Sequence, residues 1–201
     1  DDLTTYEKFM IIKLDALVTE YKKHCTSYRF DLMANSLYSF IWNEYCDWFV
    51  EISKVEIDNG NEYTKNVLIY TLQIILKLCH PIIPYITEEI WREMNSLGYT
   101  KDEILMNAKF PSQQKIFKDG DIEAEVLLLK EFITKIRKTR SDLNVHPKIK
   151  IDIYCFSKDS LVKNFLDSNN SIICSLLKAQ NIFINEESFN INECITVSLE
   201  N

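Results

Sequence analysis

The stretch RFDLMANSLYSFIWNEYCDWFVEISK (residues 29–54) decides the fold of this chain. Its apolar residues recur at spacings of three and four, which predicts one long helix. Burying a carboxylate without a partner is costly, so we expect Asn43 and Glu44 to bond to neighbouring helices. The apolar residues form two neighbouring stripes, which predicts burial on most sides: Phe30, Met33, Leu37, Ile41 and Trp48, and then Tyr38, Trp42, Tyr45 and Phe49.

The composition is that of a helical protein with a substantial core. The 201 residues are 46% hydrophobic and include only three glycines and four prolines. No apolar run approaches the roughly 20 residues of a membrane span, and the first residues lack the pattern of a signal peptide. We therefore expect a soluble, cytoplasmic protein without a membrane partner.

The six cysteines are widely separated and form no C-x-x-C pair, which argues against a zinc site. We expect reduced, buried thiols and no metal.

The charge is unevenly distributed along the chain. A net charge of -7 weighs against a nonspecific polyanion binder. Residues 127–150 nevertheless contain seven basic and two acidic side chains. This segment is either an ordinary solvated face or a directed nucleic-acid contact.

The remaining periodicity predicts an antiparallel helical bundle followed by a small α/β subdomain, a mainly α fold. Pro81 should end a helix at His80, and Pro84 or Thr87 should begin the next one. We place the domains at 1–112 and 113–201. The predicted helices are 4–25, 63–78, one beginning near Pro84, 122–143 and an interrupted one at 160–179; the predicted strands are 149–155, 181–185 and 193–199.

The chain lacks motifs for catalysis. It has no glycine-rich phosphate loop, no G-x-S-x-G and no H-E-x-x-H, so its residues favour a binding or scaffold module. His80 is more typical of a structural histidine than a catalytic one. Arg140 falls on the apolar stripe of its helix, so either its guanidinium extends into water or it pairs with an acid across the domain joint.

Four blocks carry a resemblance to a known family. FIWNEYCDWFVEISK (40–54), LKLCHPIIPYITEEIW (76–91), KFP (109–111) and ITKIRKTRSDLNVHPK (133–148) resemble, in order and spacing, the anticodon-binding domain and following region of valyl-tRNA synthetases. Class I synthetases for isoleucine, leucine and methionine share the bundle and the His-Pro-x-x-Pro block, so they remain an alternative. A helical protein-interaction scaffold is a second alternative, favoured by the acidity and the aromatic content.

The resemblance implies a parent enzyme that attaches valine to its tRNA with ATP and Mg, and that edits mischarged threonine. The family's catalytic signatures, editing domain, opening anticodon-domain helix and coiled-coil arm are not found in this sequence. We therefore expect a fragment that supplies tRNA recognition, with no catalytic residue and no cofactor of its own. Its expected partners are valine tRNAs and the parent's catalytic and editing domains in cis, in a monomer.

Matching positions to the family motif yields a set of candidate tRNA-binding residues. Glu51 can accept a hydrogen bond from a base amino group, Val50 can pack on a base, and Lys54 can meet a phosphate. The basic helix adds further candidates that could contact the RNA backbone. The full predicted set is Asp47, Trp48, Val50, Glu51, Lys54, Lys130, Arg137 and Arg140, while His80, Pro81, Pro84, Thr87, Glu88 and Trp91 are implied to form a structural corner.

Overall fold

The computed structural model describes residues 3–114, 117, 120–146, 148–185 and 195–196. It divides into two compact units, Asp1–Ile122 and Glu123–Asn201. The predicted strand at 193–199 falls almost entirely outside the described residues, as does Pro147. Within the described ranges, no helix combines the length and the apolarity needed to cross a membrane.

Helix α1 (Thr5–Thr26) confirms the first predicted helix. Thr4 caps it, and the Glu7 side chain closes a reciprocal capping box. At its other end Tyr28 has φ 58, while the amides of Tyr28 and Arg29 donate to the carbonyls of Cys25 and His24 at 3.1 and 2.9 Å. This pair of bonds is a Schellman cap, so the chain turns without the glycine that usually occupies its left-handed position.

The predicted central helix is present and runs on to residue 58. It consists of α2 (Phe30–Ser39), a π-helical segment (Phe40–Phe49) and α3 (Val50–Asp58). Backbone angles at the two joints remain helical, so the three parts form one continuous rod.

The π-helical segment changes which side chains are buried. Its hydrogen bonds join residues five apart, and the buried Phe40 and Tyr45 are five apart. The prediction of burial on most sides is wrong. It assumed α-helical spacing in residues 40–49, and Phe30 and Tyr38 are exposed in α2 as well. Tyr38 and Trp42, expected in the core, are 68% and 56% exposed.

Helices α4 (Glu62–Cys79) and α5 (Pro84–Ser96) meet at the predicted corner. Pro84 occupies the start of α5, and His80 Nδ1 lies 2.9 Å from the Thr87 hydroxyl. The Glu88 carboxylate accepts from the Leu105 amide at 2.9 Å, and the Trp91 indole donates to the Asp102 carbonyl at 2.8 Å. These are the contacts of a structural corner.

The core of the first unit joins α1, the central helix and α4. A second, smaller cluster lies between α4, α5 and the 3₁₀ turn Leu105–Asn107. The residues of the main cluster include Met10, Leu14, Leu17, Val18, Tyr21, Met33, Leu37, Phe40, Tyr45, Phe49, Val67, Ile74, Ile75 and Leu78.

The second unit is a small α/β fold, as predicted. Its elements are α6 (Gly120–Asp142), which lies in this unit from Glu123 onward, β1 (Ile151–Phe156), α7 (Ser160–Ser168), α8 (Asn170–Leu177) and β2 (Ala179–Asn185). The two strands are parallel, so the intervening helices form the crossover that such strands require. The strand register pairs Ile153 with Ile182, and the buried Ile153, Ile173 and Leu177 contribute to the core.

Candidate nucleic-acid interface

The predicted contact segment spans the end of the π-helical segment and the start of α3. Asp47 and Lys54 are exposed, and Val50 and Glu51 are half-buried. Their spacing of three and four residues places these four side chains on one side of the helix. We call this surface the 47–54 face. Trp48 is half-buried on its flank.

An exposed ion pair lies on the 47–54 face. The Lys54 ammonium donates to the Glu51 carboxylate at 2.6 Å, with the two side chains 63% and 43% exposed. Exposed pairs of this kind contribute about 0–1 kcal/mol to stability. Both groups can therefore exchange their mutual contact for RNA groups at little cost, the carboxylate as an acceptor and the ammonium as a donor.

Asn43 and Cys46, just before this face, differ from their predictions, whereas Glu44 lies in a groove beside α1. Asn43 is exposed and donates to the Ser39 hydroxyl at 3.1 Å, a bond within its own helix and not to another one. Glu44 is half-buried and lines a groove with Lys13 and Glu20 of α1. Cys46 is exposed, contrary to the expectation of buried thiols, although partial burial and the neighbouring Asp47 raise the pKa of its thiol.

The basic candidates lie on α6 in the second unit. Lys130 is half-buried, and Arg137 is exposed and donates to the Leu176 carbonyl at 3.1 Å. Arg140 donates to the carbonyl of Leu177, and also to those of Ile149 at 2.7 Å and His146 at 3.2 Å. The guanidinium of Arg140 thus bonds to main-chain carbonyls, a kind of contact that neither predicted alternative included.

These arginine contacts have a clear structural effect. Leu176 and Leu177 end α8, where carbonyls lack helical partners and carry partial negative charge. The guanidinium groups of Arg137 and Arg140 donate to these carbonyls. This contact explains why Arg140 falls on the apolar stripe of α6. Because α6 and the 47–54 face belong to different units, each is a separate candidate surface, and the RNA-binding roles of both stay predictions.

The sequence did not single out Glu7, an acid that is buried in the structure. Glu7 is 1% exposed and accepts from the Thr64 hydroxyl, from the Thr4 amide at 2.8 Å and from the Asn61 amide group at 3.4 Å. The pattern Thr4-x-x-Glu7 is a capping-box signal that could have indicated the local half of this arrangement. Among the described residues, no group of three or more His, Cys, Asp or Glu side chains could hold a metal ion.

Comparison with known proteins agrees with this arrangement of bundle, corner and α/β unit. A family model described as the anticodon-binding domain of tRNA ligases matches residues 7–155. The chain therefore belongs to the family of tRNA ligase anticodon-binding domains.

Individual relatives also name the amino acid that the tRNA ligase uses. The valine–tRNA ligase of Buchnera aphidicola subsp. Schizaphis graminum is 34% identical over 188 residues, which cover 92% of this chain and 20% of that protein. The valine–tRNA ligase of Xanthomonas campestris pv. campestris is 37% identical over 158 residues, or 75% of this chain and 17% of that protein. This chain thus spans about a fifth of the length of the curated relatives it matches.

Proposed function

We propose that this chain is the anticodon-reading part of a valine–tRNA ligase. The observation that carries the proposal is the family match over residues 7–155, within which the 47–54 face presents an acceptor, an apolar group and a cation side by side. The similarity to valine–tRNA ligases over 92% of the chain supports valine rather than another amino acid.

The chemistry proposed for the face follows from its three kinds of group. The Glu51 carboxylate accepts from the exocyclic amino group of an unpaired anticodon base, which distinguishes that base from one presenting only a carbonyl. Val50 packs against the base, and Lys54 leaves its pair with Glu51 to meet a phosphate. Lys130 and Arg137 add backbone contacts, while Arg140 acts by holding the end of α8.

Within this proposal the chain recognises tRNA and carries out no chemistry. The valine-tRNA ligase activity, with its ATP and Mg, belongs to a catalytic domain that acts in cis with this one. The editing domain is a further partner in cis, and the protein works as a cytoplasmic monomer.

Binding to purified valine tRNA tests the proposal. A base-reading surface should favour the native anticodon over an altered one by about tenfold or more per base, because each mismatched contact costs about 1–3 kcal/mol. The preference should persist when the salt concentration is raised, although both affinities fall. Equal affinity for the two RNAs would refute anticodon reading, and equal affinity for isoleucine tRNA would refute the assignment to valine.

Glu51→Ala examines the proposed contact itself. We expect it to lower the preference for the native anticodon without changing the free energy of unfolding, since the pair with Lys54 is exposed. Glu89→Ala is a matched control, because Glu89 pairs with Arg92 at the same helical spacing, at 3.2 Å, with side chains 63% and 70% exposed. A lower unfolding free energy for Glu51→Ala alone would return Glu51 to a structural role.

A further inference from the structure

An aromatic pair lies on the solvent side of the central helix, next to the 47–54 face. The rings of Tyr38 and Trp42 are parallel to within 1°, with centroids 6.3 Å apart. Side chains of this size usually contribute to a core, yet these two are 68% and 56% exposed. The helix therefore presents two similarly oriented π surfaces to solvent.

The π-helical segment accounts for the exposure of Trp42, whereas Tyr38 lies just before it in α2. At α-helical spacing, Tyr38 and Trp42 would share a face with Tyr45 and Phe49, both of which are buried. The wider π turns bury Phe40, Tyr45 and Phe49 on one face and leave Trp42 outside it. Ten residues of π-helix are an unusual length, and π-helical turns occur frequently at functional sites.

The pair is continuous with the 47–54 face along the rod. Trp42, Cys46 and Asp47 are exposed in succession, and Glu51 follows nine residues after Trp42. Nine residues span at most about 13 Å of helix axis. That length corresponds to roughly four nucleotides stacked at about 3.4 Å each, so one short RNA loop can reach both surfaces.

We infer that Tyr38 and Trp42 form a stacking platform for an unpaired RNA base in the same loop as the base read by Glu51, a few nucleotides from it. This inference rests on the proposed function and adds a second contact to it. Stacking needs a π face and no cation, which suits a surface whose neighbours include Asp47 and Glu51 in a chain of net charge -7. The platform holds any base, while the carboxylates select among bases by their amino groups.

The test compares Trp42→Ala with Trp42→Phe in the 201-residue chain, using valine tRNA as the probe. Loss of one stacked base should weaken binding by about 5- to 150-fold, because base–aromatic stacking contributes about 1–3 kcal/mol. Trp42→Phe keeps a ring and should retain most of the affinity. It should, however, lose the part of the RNA-induced quenching of tryptophan emission that comes from Trp42, while Trp48 and Trp91 still emit. Tyr85→Ala is the control, since Tyr85 is 91% exposed on α5, and should bind normally.

Each outcome separates this inference from the proposed function. Unchanged affinity in Trp42→Ala, with weaker anticodon preference in Glu51→Ala, overturns the platform and leaves anticodon reading in place. Unchanged binding in both variants overturns both. If RNA does not quench the emission of Trp42, the platform is also overturned. The aromatic pair would then be assigned to contact with protein instead.

Discussion

Glu7→Ala is expected to lower markedly the denaturant concentration at which the helical unit unfolds. The Glu7 carboxylate is buried and joins the start of α1 to the start of α4. Its two strongest bonds are those from the Thr64 hydroxyl and from the Thr4 amide, the latter at 2.8 Å. Hydrogen bonds to a charged group contribute about 1.5–3 kcal/mol each, so the loss should be about 3–5 kcal/mol.

Urea unfolding followed by tryptophan fluorescence measures this loss in the appropriate unit. All three tryptophans, Trp42, Trp48 and Trp91, precede residue 123, so their emission reports on the first unit alone. With a slope of about 1–3 kcal/mol per molar urea, the midpoint should fall by about 2 M. Thr64→Val should produce a smaller decrease, because it removes one donor while preserving the shape of the side chain, whereas Thr64→Ser should retain most of the stability.

Glu89→Ala provides the comparison, because that acid is exposed and should contribute at most about 1 kcal/mol. The reasoning would be refuted if Glu7→Ala and Glu89→Ala unfolded at the same urea concentration. Such a result would mean that the free-energy cost of desolvating the Glu7 carboxylate equals the stabilisation from its hydrogen bonds.

Two further predictions concern the turns of the chain. Bonds from Arg29 lower the pKa of the exposed Asp31 from 3.8 to about 2, so this contact stabilises the fold above pH 4 and is lost as the pH falls towards 2. Arg29→Ala should raise the carboxyl pKa measured by NMR towards its ordinary value, because the bonds from Arg29 are the largest cause of its lowering, and an unmoved titration would contradict the assignment. Lys178 ends α8 with φ 54, so Lys178→Gly should raise the unfolding free energy of the second unit by about 0.5–1 kcal/mol, measured by circular dichroism. An equal or lower value would show that the left-handed backbone is not strained there.

Local patterns predicted most of the helices because their physical causes are local. Apolar spacing indicated α1 and α4, and Pro81 and Pro84 indicated the corner between α4 and α5, since proline restricts the residues beside it. The same periodicity failed in residues 40–49, where it assumed α-helical turns. That assumption placed Trp42 in the core.

The family resemblance implied the candidate contact segment from the sequence, because Asp47, Glu51 and Lys54 lie within one continuous motif. The sequence did not predict that these residues are exposed, or that an exposed aromatic pair lies beside them. Whether a side chain faces solvent depends on which neighbouring helix covers it, and spacing along one helix does not contain that information.

The sequence by itself determined the helical class and the corner at Pro81 and Pro84, since these depend on residues a few positions apart, and its motifs carried the family resemblance. Only the tertiary structure decided the roles of Glu7 and Arg140. Glu7 meets Thr64 across 57 positions, and Arg140 meets the Leu177 carbonyl across 37. A polar side chain within an apolar pattern requires a partner, but the identity of that partner is set by how the chain folds back on itself.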